Sequence, residues 1–291
     1  MDMTLPAWLL PFVVGVVFLT MFVLERRFPL RKARRSLWPR VLVNVAITGL
    51  AVATAAITVR PAVEHLLALS PAQNFGALAL VSLPLAAEFA IAFVLFDWSF
   101  YWWHRLNHRV PLLWRFHNVH HVDPDLDVTT AFRFHAVEIG YSSAFRATQV
   151  LLIGPAAWMY FMYELVFQVA TLFHHSNVKL PVQFERAVNR VFVTPRMHGV
   201  HHSRFHHETD SNYSTVFSWW DRLHRSLRLN VPQQTIRIGV PAYWQAEDNR
   251  PDNLLAMPFG QQRSYWKRPN GTNMETRPAL EIPPPVNRMQ E

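Results

Sequence analysis

The chain has 291 residues, of which 51% are hydrophobic and only 16% are charged; its formal net charge is +8, and it contains no cysteine. This composition is too apolar for a typical soluble protein but keeps a sizeable polar portion, so we expect an integral membrane protein with part of its chain outside the bilayer. The lack of cysteine excludes disulfides, cysteine-ligated zinc and any iron–sulfur cluster held by this chain.

Long apolar stretches predict about four transmembrane helices, arranged as two hairpins. The stretches are residues 5–24, 41–59, 78–103 and 141–172. About 20 apolar residues suffice to cross the hydrocarbon core. The first stretch has no preceding Lys or Arg and no small-residue cleavage site after it, so we interpret it as a retained anchor rather than a signal peptide. Gly154-Pro155 interrupts the fourth stretch, which predicts a helical hairpin or two half-helices.

Basic residues orient the predicted spans. Seven of them lie between residues 25 and 40, in the loop after the first span, whereas the loop 60–76 carries only Arg60. The positive-inside rule therefore puts the loop 25–40 in the cytoplasm, and the third span leaves the membrane on the same side. Because the basic residues flank spans, topology and anionic lipid headgroups explain the net charge, and we expect no nucleic-acid partner.

Eight histidines form three short clusters next to the apolar stretches. The clusters are His104 and His108; His117, His120 and His121; and His198, His201 and His202. Residues three and four apart share one face of a helix, so each cluster, including each HxxHH triplet, is expected to aim its rings at one point. Neutral imidazole is a good ligand for Fe, Zn, Cu or Ni, and four donors fill an ordinary structural zinc site. Eight imidazoles therefore predict two metal ions close together, on the cytoplasmic side of the membrane.

A polar stripe leads from the third span into the first cluster. Asp97, Tyr101, His104 and His108 are spaced at i, i+4, i+7 and i+11, which puts them on one side of a continuous helix. A carboxylate that accepts the second ring N–H of a ligating histidine fixes its tautomer and raises its basicity. We therefore expect Asp97 to support a histidine ligand, which also explains an ionisable group near the end of a span.

The order of these motifs and their flanking residues resembles the fatty acid hydroxylase superfamily, also called the sterol desaturase family. The resemblance is carried by Asp97-x3-Tyr101-x2-His104-Arg105-x2-His108, by the two HxxHH motifs, and by Thr194-Pro-Arg-Met-His198-Gly-Val-His201-His202-Ser203. It covers roughly residues 90–225. It implies an integral membrane di-iron oxygenase, with the eight clustered histidines as its catalytic site, that uses O2 and two electrons to hydroxylate or desaturate a lipid.

Two further segments extend the resemblance toward the metal ligands. In Phe173-His174-His175-Ser176-Asn177 the resemblance implies that His175 is a ninth ligand, with His174 the less favoured of the pair. In the segment that begins at Arg133, it implies His135 as a candidate tenth ligand, supported by Glu138.

A closing segment also resembles the family, with two departures. It contains Asn212 and Asp221, which we expect to support the site from behind the ligands, as Tyr101 does. The family usually has Gly where this chain has Ser214, and Phe-Gly-Thr where this chain has residues 224–226. A glycine lost from a turn puts the local backbone shape in doubt, but not the set of ligands.

The chain offers no electron-transfer group of its own. It has no cysteine for a ferredoxin-type cluster and no Gly-x-Gly-x-x-Gly motif for a flavin or nicotinamide. We therefore expect a separate ferredoxin or cytochrome b5-like donor to bind transiently at the basic cytoplasmic face. The predicted location is a bacterial inner membrane, or the endoplasmic reticulum if the source is eukaryotic.

A zinc-dependent membrane hydrolase and a metal transporter are the alternative classes. The HExxH pairing of ligand with general base is absent, which disfavours the hydrolase. The spans contain few ionisable residues apart from Glu88 and Glu164, which disfavours the transporter. The sequence leaves open the lipid and its reacting carbon, hydroxylation or desaturation, the donor, the oligomeric state, and metal binding by His135 and His174.

The sequence thus predicts an all-α integral membrane protein with three regions. Residues 1–100 hold the first three transmembrane helices and the basic loop 25–40. Residues 101–229 form the catalytic domain, which includes the membrane hairpin 141–172 and a cytosolic helical cap that holds the dimetal site. Residues 230–291 form a polar, proline-rich tail whose end is expected to be disordered.

Overall fold

The structure is a computed structural model that describes residues 6–73, 75–268 and 270–272. All regular secondary structure in these residues is helical, apart from three isolated β-bridges, which confirms the predicted all-α class. The longer helices are α1 (Leu9–Arg27), α2 (Leu37–Ile57), α3 (Val59–Gln73), α4 (Leu85–Arg109), α5 (Pro111–His121), α6 (Ala136–Ile153) and α7 (Ala157–His175). The shorter ones are α8 (Val182–Val188), α9 (Pro195–His201), α10 (His206–Thr209), α11 (Trp219–Leu223) and α12 (Pro251–Ala256). Single turns of 3-10 helix lie at Ala77–Leu80, Val128–Thr130, Gln233–Thr235, Pro241–Tyr243, Glu247–Asn249 and Met257–Phe259.

Three helical segments of the described chain are long and apolar enough to cross a membrane. They are Leu9–Arg27, Leu37–Leu69 and Leu85–Arg109. They correspond to the first three predicted spans, although the predicted start at residue 5 lies outside the described residues. The fourth predicted stretch is divided between α6 and α7, at the predicted break. The count of four spans therefore stays a prediction.

The structure corrects the expected loop at residues 60–76, most of which is helix α3. Val63 and Leu67 recur one turn apart and are buried against Val150 and Ile153 of α6. The helical spacing of these apolar residues explains why the segment forms a helix despite the charge at Arg60. The adjoining proline lies within the first turn of α3, where the missing N–H leaves no intrahelical hydrogen bond unmade.

The turn between α6 and α7 depends on Gly154. This residue ends α6 in the left-handed region, with φ +68°, which glycine adopts without steric cost. A Cβ built on Gly154 would lie 2.0 Å from the carbonyl oxygen of Phe75, so the two chain segments touch through backbone atoms. This close approach lets the residues before α4 pack on the hairpin that α6 and α7 form.

A buried ionic network joins the first two helices to the segment that follows α5. It contains Glu25 and Arg26 from α1, Arg40 and Asn44 from α2, and Asp123, Asp127, Thr130 and Arg133 from the segment. Arg40 donates to Asp123 at 2.9 Å and also pairs with Asp127. Arg133 donates to the Val119 carbonyl oxygen at 2.9 Å. The network fixes the backbone on either side of the second histidine cluster.

The described part of the C-terminal segment packs onto α5 and α2. Tyr243 and Leu254 are buried in one apolar cluster with Trp114, Val119 and Ile47. The segment therefore covers the outer face of the helix that carries the second histidine cluster. The predicted disorder at the end of the chain falls on residues 273–291, which lie outside the described residues.

Candidate dimetal site

The clustered histidines come from four helices whose C-terminal parts meet at the end of the candidate span Leu85–Arg109. The C-terminal part of α4 supplies His104 and His108, and the last turn of α7 supplies His175. Helices α5 and α9 supply the two HxxHH motifs. Pro111 and Pro195 occupy the first helical positions of α5 and α9. Proline is favoured there because its φ suits a helix and its missing N–H would be unpaired in any case. Each HxxHH motif therefore lies within a short, sharply started helix.

Nine buried histidines divide into two groups that could each hold a metal ion. The first group contains His104, His108, His117, His121 and His201; the second contains His120, His175, His198 and His202. Within each group, one ring nitrogen from every residue lies within 4.8 Å of the others. The groups adjoin each other, since the rings of His121 and His202 stack with their centroids 4.4 Å apart.

Each HxxHH motif is divided between the two groups, so the expectation that its three rings converge on one point is wrong. On α5, His117 and His121 join the first group while His120 joins the second. The third cluster divides in the same way, with its i, i+4 pair in the second group and its i+3 residue in the first. At about 100° per residue, side chains four apart differ by only about 40°, whereas neighbours diverge by about 100°.

The second group is the more compact. The Nε2 atom of His175 lies 3.1 Å from Nε2 of His120 and 3.0 Å from Nε2 of His198, and the Nε2 atoms of His198 and His202 are 3.1 Å apart. Four imidazole nitrogens that face one another need a proton or a cation between them. A transition-metal ion bound by all four would satisfy them together.

In the first group, hydrogen bonds on the outer ring nitrogens fix the tautomers. The Nδ1 atoms of His104 and His201 lie 2.8 and 2.7 Å from the carbonyl oxygens of Tyr213 and Ser211. A carbonyl only accepts, so each Nδ1 carries the proton and each Nε2 keeps a free lone pair. His117 has the same arrangement with the Glu138 carboxylate, at 2.8 Å.

The inner nitrogens of the first group are buried and unsatisfied. Both ring nitrogens of His108 and the Nε2 atoms of His117, His121 and His201 have no hydrogen-bond partner among the described residues. Buried polar atoms are almost always paired, so several unpaired ring nitrogens that converge on one point are typical of a metal-binding site. The residues present therefore fit a bound cation in this group also.

Burial keeps the clustered rings neutral, which is the form that binds metal. It lowers the pKa of His201 to about 3, against the opposing effect of the ring's hydrogen bond to Ser211. Burial, followed by repulsion from His175, lowers the pKa of His120 and of His198 well below the ordinary value of 6.5. At pH 7 each of these rings is therefore neutral and keeps one unprotonated nitrogen, which can bind a metal ion.

Asp97 does not have the role expected from the sequence. Its carboxylate accepts the backbone N–H groups of Val216 and Phe217, at 3.2 and 3.0 Å, and the indole N–H of Trp220 at 2.7 Å. The ring of His104 is instead oriented by the Tyr213 carbonyl. Helical spacing places Asp97 and His104 on the same side of α4. In the fold, however, the loop before α11 supplies the N–H groups that bind the Asp97 carboxylate.

The closing segment supports the site through its backbone. Asp221 accepts the N–H groups of Tyr213 and Ser214, both at 2.9 Å, and so holds the carbonyl that orients the first cluster. Asn212 adopts a φ of +55° and donates from its amide to the Met197 carbonyl on α9. The hydroxyl of Tyr101 lies 2.8 Å from that of Ser226, one of the residues that departs from the family pattern.

Two candidate ligands lie outside both groups. His135 begins α6, where its Nδ1 accepts the Val137 N–H and its Nε2 lies 3.2 Å from the Leu255 carbonyl. Glu138 therefore contacts His117 rather than supporting His135. The His174 ring lies against His198 at a centroid distance of 4.2 Å but contributes no atom to either group.

The site elements that the sequence did not indicate are backbone carbonyls. Those of Thr171, Ser211 and Tyr213 each lie within 3 Å of an outer histidine nitrogen. A carbonyl has no residue-type signature, so only the fold could reveal these partners.

Comparison with known proteins supports the resemblance carried by the histidine motifs. Residues 89–226 match the family model of fatty acid hydroxylase. The matched stretch runs from α4 to α11 and includes all nine grouped histidines.

Several curated proteins are similar to this chain over about half of its length. They include alkylglycerol monooxygenase from Homo sapiens, 30% identical over 45% of this chain and 28% of the relative. Ornithine lipid hydroxylase from Rhizobium tropici is 29% identical over 54% of this chain and 46% of its own. Cholesterol 25-hydroxylase from Homo sapiens is 30% identical over 46% of this chain and 49% of its own. Each alignment thus spans less than half of the relative's length. No solved structure matches the chain.

Proposed function

We propose that this chain is a membrane-bound di-iron oxygenase that uses O2 and external electrons to hydroxylate a C–H bond of a lipid. The observation that carries the proposal is the division of nine buried imidazoles into two adjoining groups of five and four. One metal ion cannot use nine donors, whereas two neighbouring ions account for both groups.

The proposed metal is iron because the relatives carry out oxidative chemistry. Imidazole alone suits several transition metals, and zinc has no redox chemistry of its own. The three relatives described above are named as monooxygenases or hydroxylases, which favours a redox-active metal. Two bound irons would supply the oxygen-activating redox chemistry of the site.

The chain's own residues hold and shield that chemistry. Carbonyl groups and Glu138 orient the rings of His104, His117 and His201, so the metal-facing nitrogens are set before an ion binds. The nine side chains are buried, which keeps bulk water away from reactive oxygen species. These features suit a reaction in which hydrogen is removed from an unactivated carbon.

The proposed substrate is a membrane lipid. The candidate span Leu85–Arg109 ends in the first histidine cluster, so a bilayer lipid could reach the site along this helix. The relatives are named for an alkylglycerol, an ornithine lipid and cholesterol. Their names describe a monooxygenase and two hydroxylases, which favours hydroxylation over desaturation in this chain.

Electrons would come from a separate protein at the cytoplasmic face. A ferredoxin or a cytochrome b5-like donor fits the basic loop 25–40, which the positive-inside rule assigns to the cytoplasm. The membrane would be a bacterial inner membrane, or the endoplasmic reticulum in a eukaryotic cell.

Metal content and oxygen use test the proposal together. The purified chain is expected to contain two irons and to consume O2 in the presence of a reductant and membrane lipid. His201→Ala and His120→Ala remove one ligand from each group, and each should abolish O2 consumption. His65→Ala, an exposed position on α3, is the matched control and should leave both readouts unchanged.

Two results would contradict this function. A chain that retains only zinc and hydrolyses a lipid ester without a reductant would be a hydrolase. A chain that moves metal ions across vesicle membranes without consuming O2 would be a transporter. If neither result is obtained, lipid analysis of cells with and without the gene would identify the hydroxylated lipid.

A further inference from the structure

A basic cavity lies beside α9, where its lining residue Arg31 meets the backbone of Gly199. Its volume is about 720 Å³, and it lies between the loop that joins α1 to α2 and the chain after α11. Six of its lining residues are basic: Arg31, Lys32, Arg34, Arg35, Arg204 and Arg237. No carboxylate is among the described residues that line it. We call this cavity the arginine pocket.

The positive charge in the arginine pocket is only partly offset by the protein, since six basic residues line the cavity while Asp125 and Glu185 attract Arg31 from outside it. Within the described chain, none of its six basic side chains forms an ion pair with Asp or Glu. The nearby carboxylate of Asp125 instead accepts the backbone N–H groups of Arg34 and Arg35, at 2.9 Å each. The guanidinium of Arg35 donates to the Trp244 carbonyl, and that of Arg204 donates to the Ile238 carbonyl. Because a carbonyl oxygen carries no net charge, these hydrogen bonds do not offset the positive charges of Arg35 and Arg204.

Arg31 is the buried member of the set. It is 9% exposed, and its Nη1 donates to Gln233 at 2.8 Å and to the Pro195 carbonyl at 3.3 Å. Its Nε and Nη2 atoms are buried without a hydrogen-bond partner among the described residues. A buried guanidinium normally has its donors satisfied, most often by an anion with paired oxygens.

The positive-inside rule explains part of this pattern but not its geometry. It accounts for basic residues between two spans, here 31–35. It does not account for Arg204 and Arg237, which come from distant parts of the chain and line the same cavity. It also predicts exposed cations rather than an unsatisfied guanidinium in the interior.

We propose that the arginine pocket is a binding site for a phosphate-bearing anion, separate from the dimetal site. Several guanidinium groups with free N–H donors match the oxygens of a phosphate, and the cavity can hold a group larger than one phosphate. The anion would be either a soluble phosphate compound or the headgroup of an anionic lipid, since the pocket adjoins the ends of two candidate spans. This site goes beyond the proposed oxygenase function.

Arg31 also connects the arginine pocket to the helix that carries the third histidine cluster. A Cβ built on Gly199 would lie 2.2 Å from Nη1 of Arg31, so the guanidinium lies directly on the α9 backbone. An anion on the free side of Arg31 would hold it against this helix. Bound anion is therefore expected to stabilise the fold around α9 as well as the pocket.

Thermal unfolding of the full chain in lipid nanodiscs tests the proposal. Inorganic phosphate is titrated at constant ionic strength into protein in phosphatidylcholine nanodiscs, and separate samples contain phosphatidate in the bilayer. A saturable rise in melting temperature with phosphate identifies a soluble anion. A rise with phosphatidate alone identifies a headgroup, and either result supports the site if it depends on the pocket.

That dependence is measured with exposed pocket residues, whose substitution should preserve the fold. Arg34→Gln and Arg237→Gln should each weaken the apparent affinity about tenfold, as expected when one charged hydrogen bond is lost. Arg186→Gln, an exposed position on α8 outside the pocket, makes the same charge change and should bind as the wild type does. Equal responses in all three variants, or no response to either probe in the wild type, would overturn the proposal.

Discussion

Hydrogen bonds to the outer ring nitrogens decide which nitrogen faces the dimetal site. His104 and His201 use neutral carbonyls for this purpose, whereas His117 uses the charged carboxylate of Glu138. A carboxylate partner makes the imidazole more basic and a better electron donor to a cation. His117 is thus the candidate ligand of the first group whose metal affinity is expected to depend most on a single neighbouring side chain.

Substituting Glu138 by Gln tests this dependence. The amide keeps the shape and an acceptor oxygen but removes the negative charge, so we expect metal affinity to fall about 10- to 100-fold. Competition with a chelator, read by metal analysis of the protein, measures the change. Glu64→Gln, on the exposed surface of α3, is the control. Unchanged affinity in the Glu138 variant would mean that the ring is held by packing alone.

The lowered pKa values predict an acid-sensitive metal-free protein. The pKa of His201 is about 3 in the folded chain but near 6.5 when exposed, so only the unfolded chain takes up the proton as the pH falls below 6.5. Stability is therefore full above that pH and is lost progressively toward pH 3, by up to about 1.4 kcal/mol per pH unit for each such histidine.

Melting temperatures of chelator-treated protein across this pH range would measure the loss. The His201→Gln variant should show a shallower dependence, because one titrating group has been removed. A melting temperature that is constant between neutral pH and pH 5 would contradict the buried, neutral state of the rings.

At the scale of helices, the position of the second histidine group depends on the turn between α6 and α7. The α6–α7 hairpin places the end of α7, with His175, beside α5 and α9. Its turn is fixed by the left-handed Gly154 in contact with the Phe75 carbonyl. A change in this turn would displace a ligand of the second group from a distance.

Gly154→Ala should therefore destabilise the protein by roughly 1–3 kcal/mol, because the methyl group meets the Phe75 carbonyl and the backbone has a positive φ. Gly140→Ala is the matched control on the same helix, where an added Cβ meets nothing within 4 Å. It should be neutral or stabilising by up to about 1 kcal/mol. Denaturant unfolding in detergent would compare the two, and equal effects would contradict the close approach.

The sequence predicted more about the histidines than about their surroundings. Spacing identified eight of the nine grouped residues, because metal ligands need a restricted residue type in a regular pattern, and family resemblance added His175. It misassigned Asp97, since helical spacing shows which residues share a face but not which loop packs on that face. The split of each HxxHH motif was also missed, because it depends on neighbours contributed by other helices.

At the scale of the whole molecule, the buried ionic network ties the candidate spans to the helices that carry the histidine groups. Asp123 lies at its centre and accepts from Arg40, Asn44 and Thr130. All of these side chains are buried, so the charges cannot be compensated by water. The second histidine cluster therefore has a fixed position relative to α2, although it is far from it in sequence.

Asp123→Asn should destabilise the protein by about 3–5 kcal/mol, since it leaves buried arginines without their charge partner. We also expect lower metal occupancy, because the segment after His121 loses its anchor. Unfolding and metal content of the variant would be measured beside Asp252→Asn, an exposed pair expected to change stability by less than about 0.5 kcal/mol. A normal metal content in a destabilised Asp123 variant would show that metal binding does not depend on this ionic network.

The division of each HxxHH motif means that neither metal position is independent of the other. His120 and His121 are neighbours on one turn of α5, yet they belong to different groups, and the same holds for His201 and His202. The first ion to bind immobilises backbone that the second ion also needs. Loading should therefore be cooperative, and native mass spectrometry during a metal titration should show empty and doubly loaded chains with few singly loaded ones.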